Sequence, residues 1–286
     1  MSASSPGEAA TVVATDGLEL SGRVYEPSCA AELSVLLLPG IGVPQRVFRH
    51  IGPWLAERGV RCASVDYRGI GESERIPGAL ESASLRTWAE RDAVGALRFV
   101  EQRAHGGPVV LLAHSFGGQV LGFSDEFRRL RSGILVGSQF GNARYWDPPR
   151  RFAIAAYWHV ILPLAASVFD RVPGWTGIGE ALPRGVAREW ALYGRTPDWL
   201  LPHVPGSAER YAAFDRPLRA YGMLDDPIAP PRAVSALLER FRGTRVERVD
   251  LSPADFGLPK LGHLGVFRPG PTERLWSEML DFARRC

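Results

Sequence analysis

Ser115 has the sequence surroundings that a nucleophile requires. It follows the apolar run Pro108–Ala113, which predicts a buried strand, and the glycines after it mark the start of a helix. Small neighbours let a serine occupy a strained strand-to-helix turn that exposes its Oγ, and the amides of the new helix face developing negative charge. The usual pattern is G-x-S-x-G, from which Ala113 is a mild departure. An ordinary turn serine is the alternative to the nucleophile that we predict.

A serine nucleophile needs a base that is oriented by an acid, and after such a turn the chain order is serine, acid, histidine. The strand predicted at Leu218–Met223 is followed by Asp225 and Asp226, and His263 is the only histidine beyond them. We therefore expect His263 to be the base. Asp226 is the favoured acid because it directly precedes a Pro-Ile-x-Pro turn, and Asp225 stays open as the alternative acid.

The backbone N–H groups that would stabilise an oxyanion are expected on two loops. One belongs to Phe116, the residue after the predicted nucleophile. The other should come from residues 39–43, where glycines let the main chain approach a ligand closely. Ile41 is the favoured donor in this loop, and Gly42 is the second choice.

Residues 140–216 interrupt the alternation of strands and helices. They contain many prolines and five of the eight tryptophans, at 146, 158, 175, 190 and 199. A long segment of this kind between core strands is typical of a lid over a pocket, so we expect a helical cap between core parts 1–139 and 217–286. The expected pocket residues are Gly42, Gln45, His114, Trp158 and Trp190, although an exposed turn suits Gln45 better.

Outside that segment the predicted strands and helices alternate, which is typical of a mainly parallel, twisted sheet with helices on both faces. An Asp16-Gly17 turn predicts a hairpin near the start of the chain. Continuous apolar runs indicate strands that are buried on both faces. The predicted strands are 34–38, 60–65, 108–113, 133–137, 218–223 and 246–251, and the predicted helices are 47–58, 85–104, 229–241 and 271–284.

The segment Phe152–Phe169 has 18 residues without a formal charge, which is the lower limit for a membrane-spanning helix. Pro163 and the polar residues His159 and Ser167 argue against spanning. We expect a buried helix that is broken near Pro163 and covers an apolar pocket. Peripheral contact with a membrane stays open as an alternative.

The composition argues against several classes of protein. The 286 residues carry a net charge of +3, and the arginines are interleaved with acidic residues, which disfavours nucleic-acid binding. Three scattered cysteines suit neither a disulfide framework nor a zinc site, and no motif for a metal, nucleotide or flavin is found, so no cofactor is expected. The first ten residues lack the features of a signal peptide, which favours a cytoplasmic protein.

Five motifs in the expected order resemble those of the α/β-hydrolase family, namely Leu38–Gly42, Asp66–Ser73, Ala113–Gly118, Asp225–Pro230 and Gly262–Gly265. The resemblance implies the α/β-hydrolase fold. More narrowly, the paired aspartates and the segments 42–46 and 262–268 are similar to those of a group of uncharacterised bacterial α/β-hydrolases. Pro39 stands where many relatives have histidine, which matters little because the oxyanion donor is main chain.

We expect a serine hydrolase that cleaves a carboxylic ester, or less favourably an amide, of a small and partly hydrophobic molecule through an acyl-enzyme on Ser115. Two alternatives stay open: an acyltransferase that uses the same triad, and a ligand-binding protein that keeps the fold without turnover. The loop Asp66–Ser73 is expected to be structural, with Arg68 pairing with Asp92. The oligomeric state is left open.

Overall fold

The computed structural model describes residues 7–176 and 179–286. Its strands are β1 (Glu8–Val13), β2 (Glu19–Tyr25), β3 (Leu33–Leu38), β4 (Val60–Val65), β5 (Val109–His114), β6 (Ser132–Val136), β7 (Arg171–Val172), β8 (Leu182–Pro183), β9 (Leu218–Met223) and β10 (Val246–Leu251). Within the described residues, eight of them form one sheet in the order β1-β2-β4-β3-β5-β6-β9-β10, and β7 pairs with β8. The predicted fold class, a mainly parallel sheet with helices, is confirmed: only β1–β2 and β2–β4 are antiparallel neighbours in this sheet.

The α-helices are α1 (Ile51–Ala56), α2 (Leu85–Thr87), α3 (Val94–Ala104), α4 (Phe116–Gln119), α5 (Arg150–Ala156), α6 (Leu162–Val168), α7 (Arg184–Arg195), α8 (Ser207–Ala213), α9 (Pro231–Leu238) and α10 (Glu273–Arg285). Wider π-turns, Trp88–Ala93 and Tyr157–Ile161, join α2 to α3 and α5 to α6. Short 3₁₀ segments lie at Gln45–Phe48, Gly71–Arg75, Val120–Gly122, Asp125–Arg129, Ala143–Tyr145, Gly174–Thr176, Pro253–Phe256 and Gly265–Phe267.

The central strands β3, β5 and β6 are buried along their whole length because both faces of the sheet are covered. Along β3, Leu36 and Leu38 point into one core cluster, which includes residues of α3, α7 and α9. Val35 and Leu37 point into the other cluster, which includes residues of α1 and α10. Alternation of side chains along each strand therefore supplies both cores from one apolar run.

The loops that follow the parallel strands meet at one edge of the sheet. Strands β3, β5, β6, β9 and β10 run in the same direction, so their carboxyl ends lie side by side. In open α/β sheets this edge is where ligands bind. The predicted oxyanion loop follows β3, Ser115 follows β5, the paired aspartates follow β9, and His263 lies beyond β10.

The helix predicted at 47–58 is divided in the structure. A 3₁₀ turn covers Gln45–Phe48 and α1 begins at Ile51. Pro53 explains this boundary, since a residue without an N–H fits the first turn of a helix but not its interior.

Residues 140–216, which we call the insert, leave the sheet after β6 and return at β9. Arg150–Val168 forms one helix of 19 residues that is long and apolar enough to cross a membrane by length and composition. The predicted break near Pro163 is wrong, because the π-turn Tyr157–Ile161 rearranges the hydrogen bonds that a proline would otherwise disrupt. The predicted burial is also wrong: only 22% of its apolar window is buried inside the protein.

Aromatic side chains hold this helix to the rest of the insert. Trp158 stacks edge-to-face with Tyr157, Trp190 and Trp199. Gly194 on α7 makes the contact possible, because a Cβ at that position would lie 2.3 Å from the Trp158 ring. The buried stripe along the helix is narrow and consists of Trp158, Leu162 and Ala166.

Candidate active site

Ser115 occupies a sharp turn between β5 and α4. Its backbone has φ 53° and ψ −117°, a conformation that residues other than glycine seldom adopt. The Ser115 N–H donates to the carbonyl of Val136 at 2.9 Å, which ties the turn to the neighbouring strand. Gly117 is required by close packing, since a Cβ there would lie 2.4 Å from the carbonyl oxygen of Leu38.

His263 and Asp226 are in direct contact. The Nδ1 atom of His263 lies 2.5 Å from Oδ2 of Asp226, whose side chain is fully buried. The other carboxylate oxygen accepts from the N–H of Ile228 at 2.8 Å, which fixes the orientation of the carboxylate. With Nδ1–H facing the carboxylate, the imidazole keeps its lone pair on Nε2, the nitrogen that a general base uses.

Asp225 has a different position from its neighbour. Its carboxylate accepts from the N–H groups of Leu261 and Gly262, at distances of 2.9 Å and 3.0 Å. It therefore holds the loop that carries His263. The geometry separates the two candidate acids: Asp226 contacts the imidazole of His263, and Asp225 contacts the main chain of the two residues that precede His263.

His114 was expected in the pocket, but in the structure its side chain is fully buried and packs against the ring of His263. Its Nε2–H donates to the carbonyl of His263 at 3.0 Å, and the two rings lie 4.4 Å apart between centroids. Burial lowers the pKa of His114 well below its ordinary value, so the ring is neutral. Its hydrogen bond to the main chain helps to hold the loop that carries His263.

The two expected oxyanion donors come from the loop after β3 and from the first residue of α4. Phe116 is the first residue of α4, so its N–H has no partner inside the helix. Ile41 lines the same cavity as Ser115. Gly42 instead contacts the insert: its carbonyl accepts from the N–H of Glu180 at 2.9 Å.

Two cavities adjoin at the site. The smaller, of about 80 Å³, is lined by Ile41, Val43, Ser115, Gln119, Gln139, Gly179, Trp190, Ile228, His263 and Leu264. The larger, of about 400 Å³, is lined by Gln139, Gly141, Trp146, Arg150, Ala153, Ile154, Tyr157, Trp158, Ile161, Trp190, Trp199, Pro227 and Ile228. Gln139, Trp190 and Ile228 belong to both walls. We call the larger one the aromatic cavity.

The model of the alpha/beta hydrolase family matches residues 35–275, which is most of the chain. The chain belongs to the alpha/beta hydrolase family. The match includes most of β3, the turn at Ser115, the insert and the loop of His263. Comparison with curated proteins gave no match.

Solved structures of other proteins share the fold at low identity. An esterase from Thermogutta terrifontis with malate bound is 22% identical with a TM-score of 0.60, covering 97% of this chain and 98% of its own. A soluble variant of monoglyceride lipase from Saccharomyces cerevisiae with a substrate analogue is 15% identical with a TM-score of 0.66, covering 98% and 95%. Est1E from Butyrivibrio proteoclasticus with ferulic acid is 15% identical with a TM-score of 0.59, covering 95% and 98%.

In this alpha/beta hydrolase, Gln45 is neither a pocket residue nor an exposed turn residue. It is buried, its N–H and Nε2 donate to Asp66 at 2.6 Å and 3.1 Å, and its Oε1 accepts from Ser64. Burial raises the pKa of Asp66 to about 6, although three N–H donors face it. The sequence could not show this, because the polar partners come from separate segments.

The predicted pairing of Arg68 with Asp92 is confirmed. The Arg68 side chain is buried, its Nε donates to Asp92 at 2.8 Å, and its two terminal nitrogens donate to Asp16 at 2.9 Å and 2.8 Å. This ion cluster joins the hairpin turn, the loop after β4 and the π-turn before α3. The loop Asp66–Ser73 is therefore held by these ion pairs, and none of its residues lines either cavity.

Gln119 is a site residue of this alpha/beta hydrolase that the sequence analysis missed. Its Nε2 donates to the Gln139 carbonyl at 2.6 Å, and its Oε1 accepts from Nε1 of Trp199 at 2.9 Å. It thereby links α4, the loop after β6 and the insert beside Ser115. Its place in the short helix directly after Ser115 was the available signal, since that helix begins at the proposed nucleophile.

Proposed function

We propose that the protein is a serine hydrolase that cleaves carboxylic esters through an acyl-enzyme on Ser115, with His263 as base and Asp226 as orienting acid. The observation that carries the proposal is the 2.5 Å contact between His263 Nδ1 and Asp226, together with the cavity that Ser115 and His263 line jointly. The strained turn at Ser115 supports it, because such strain concentrates at reactive groups.

The proposed reaction begins when Ser115 Oγ attacks the ester carbonyl carbon and His263 Nε2 takes the hydroxyl proton. The tetrahedral oxyanion is stabilised by the N–H groups of Phe116 and Ile41. His263 then gives the proton to the leaving alcohol, which departs and leaves an acyl-enzyme. A water molecule, activated by His263, attacks the acyl carbon, and the acid product is released as Ser115 regains its proton.

The adjoining cavities favour an ester that has a small group on one side and a bulky apolar group on the other. The cavity of about 80 Å³ at Ser115 suits the ester group and a small substituent. The aromatic cavity of about 400 Å³ suits an apolar or aromatic portion, since four tryptophans contribute to its wall. We propose that the insert acts as the cap that supplies this wall.

A fluorophosphonate probe tests the proposed nucleophile directly. The expected result is one label per protein, located on Ser115 by mass spectrometry, with labelling abolished in Ser115→Ala and strongly reduced in His263→Ala. Both variants should keep the wild-type circular dichroism spectrum, and hydrolysis of p-nitrophenyl esters should fall by at least roughly 10³-fold. A label on another residue, or equal ester turnover by Ser115→Ala, contradicts the proposal.

A further inference from the structure

The outer face of the helix Arg150–Val168 is apolar and open to solvent. Eight of the eleven large apolar side chains that are exposed among the described residues lie between residues 152 and 192. Phe152, Leu164 and Val168 are 69%, 61% and 70% exposed. Five of the eight belong to this one helix, and a large exposed apolar surface is typical of an interaction site.

This face offers a partner almost no hydrogen-bonding group. Residues 152–169 carry no formal charge, and their exposed polar side chains are those of His159 and Ser167. Ser167 Oγ already donates to the carbonyl of Leu164 at 2.7 Å. Protein interfaces form about one hydrogen bond per 100–200 Å², whereas hydrocarbon requires none, so the chemistry favours lipid.

The start of the helix carries positive charge without a countercharge. Arg150 and Arg151 are exposed and form no ion pair with the described residues, and the first turn contains no acidic residue. Both cations therefore stand at the positive end of the helix dipole. Asp147, just before the helix, pairs with Arg232 instead. Anionic headgroups would neutralise these arginines.

The apolar face is continuous with the aromatic cavity. Arg150, Ala153, Ile154, Tyr157 and Ile161 of the same helix line that cavity. Ile161 is also 46% exposed, so it belongs to both surfaces. A molecule dissolved in a lipid layer against this face would reach the cavity without crossing bulk water.

We propose that the outer face of this helix binds the surface of an anionic phospholipid bilayer, and that ester substrates enter the aromatic cavity from that bilayer. The binding step is independent of catalysis, whereas the entry step rests on the proposed function. The helix lies along the surface rather than across the bilayer, because Trp158, Leu162 and Ala166 pack it against the protein.

Co-sedimentation of the full chain with vesicles tests the binding step. Wild-type protein should bind vesicles of mixed phosphatidylcholine and phosphatidylglycerol more tightly than phosphatidylcholine alone. The double variant Leu164→Gln, Val168→Gln should lose about tenfold or more in partitioning into both vesicles. Arg150→Gln with Arg151→Gln should lose roughly 30-fold on the mixed vesicles only. Val13→Gln, which changes a 53% exposed residue of β1, is the control and should bind as wild type does.

Three outcomes overturn the proposal. These are no binding of the wild type to either vesicle, an equal loss in Val13→Gln, and a wild-type dimer that the Leu164→Gln, Val168→Gln variant abolishes in analytical ultracentrifugation. That last result would assign the face to a second copy of the chain. Turnover of a water-soluble ester is measured alongside, and its absence contradicts the proposed function alone, since vesicle binding does not need Ser115.

Discussion

The loops at the edge of the sheet and the insert above them are held in place by different forces. Around His263 the contacts are polar: Asp225 accepts from two N–H groups of the histidine loop, and His114 donates to the His263 carbonyl. The helix of the insert is held by a narrow apolar stripe at Trp158, Leu162 and Ala166. Hydrogen bonds restrict the distance and angle between donor and acceptor, whereas apolar packing tolerates exchange of side chains of similar volume. The proposed triad is thus held by directional contacts of the core, and the proposed cap is held by less specific packing.

The largest expected effect separates the paired aspartates. Asp226→Asn should lower kcat/KM by roughly 10³–10⁴-fold, because an amide favours the wrong tautomer of His263. Asp225→Asn changes only the support of the loop and should cost about tenfold or less. Steady-state kinetics on a water-soluble ester measures both, and equal losses in the two variants would show that loop support and tautomer control are not separable.

The buried ion cluster at Arg68 tests how strongly the core depends on polar geometry. Arg68→Met leaves Asp92 buried without its cation and should reduce the free energy of unfolding by about 3–5 kcal/mol. Arg98→Met removes an exposed pair with Glu126 and should cost about 1 kcal/mol or less. Urea unfolding compares the two, and similar losses would contradict the importance of burial.

The carboxyl of Asp66 makes the stability of the core depend on pH. Since burial raises its pKa to about 6, the folded protein binds this proton more tightly than the unfolded chain, where aspartate titrates near pH 4. Its contribution is therefore full below about pH 4 and is lost as the pH rises through 6, by about 3 kcal/mol in total. The stability of the wild type relative to Asp66→Asn should decline between pH 4 and 7, and an increase over that range would reverse the sign.

The smallest effect concerns the insert alone. Ala153→Leu places a larger side chain on the wall of the aromatic cavity and should reduce kcat/KM for esters with bulky aromatic groups by about tenfold, leaving acetate esters unchanged. Ala156→Leu, on the same helix but exposed and outside the wall, is the matched control. A loss of both classes of ester in Ala153→Leu would show that the aromatic cavity does not select substrates.

The sequence predicted the strands and the order of the candidate triad better than it predicted the contacts of single polar side chains. The predicted bounds of β4, β9 and β10 match the structure, because each strand begins and ends with an apolar residue and turn-forming residues such as Gly59, Pro217 and Pro253 lie just outside. The candidate triad residues follow from chain order along the sheet. The positions of Gln45 and His114 could not be predicted, since burial of a polar side chain depends on partners from distant segments. The open face of the insert was missed because a charge-free helix looks alike whether it faces a core or solvent.

The backbone of Ser115 has a consequence for protein engineering. A φ of 53° costs an ordinary residue about 1–3 kcal/mol and glycine much less, so Ser115→Gly should raise the melting temperature while removing the hydroxyl. A variant library sorted only for heat resistance would therefore enrich glycine at this position and lose the proposed nucleophile. Any directed evolution of this chain needs a screen for turnover from its first round.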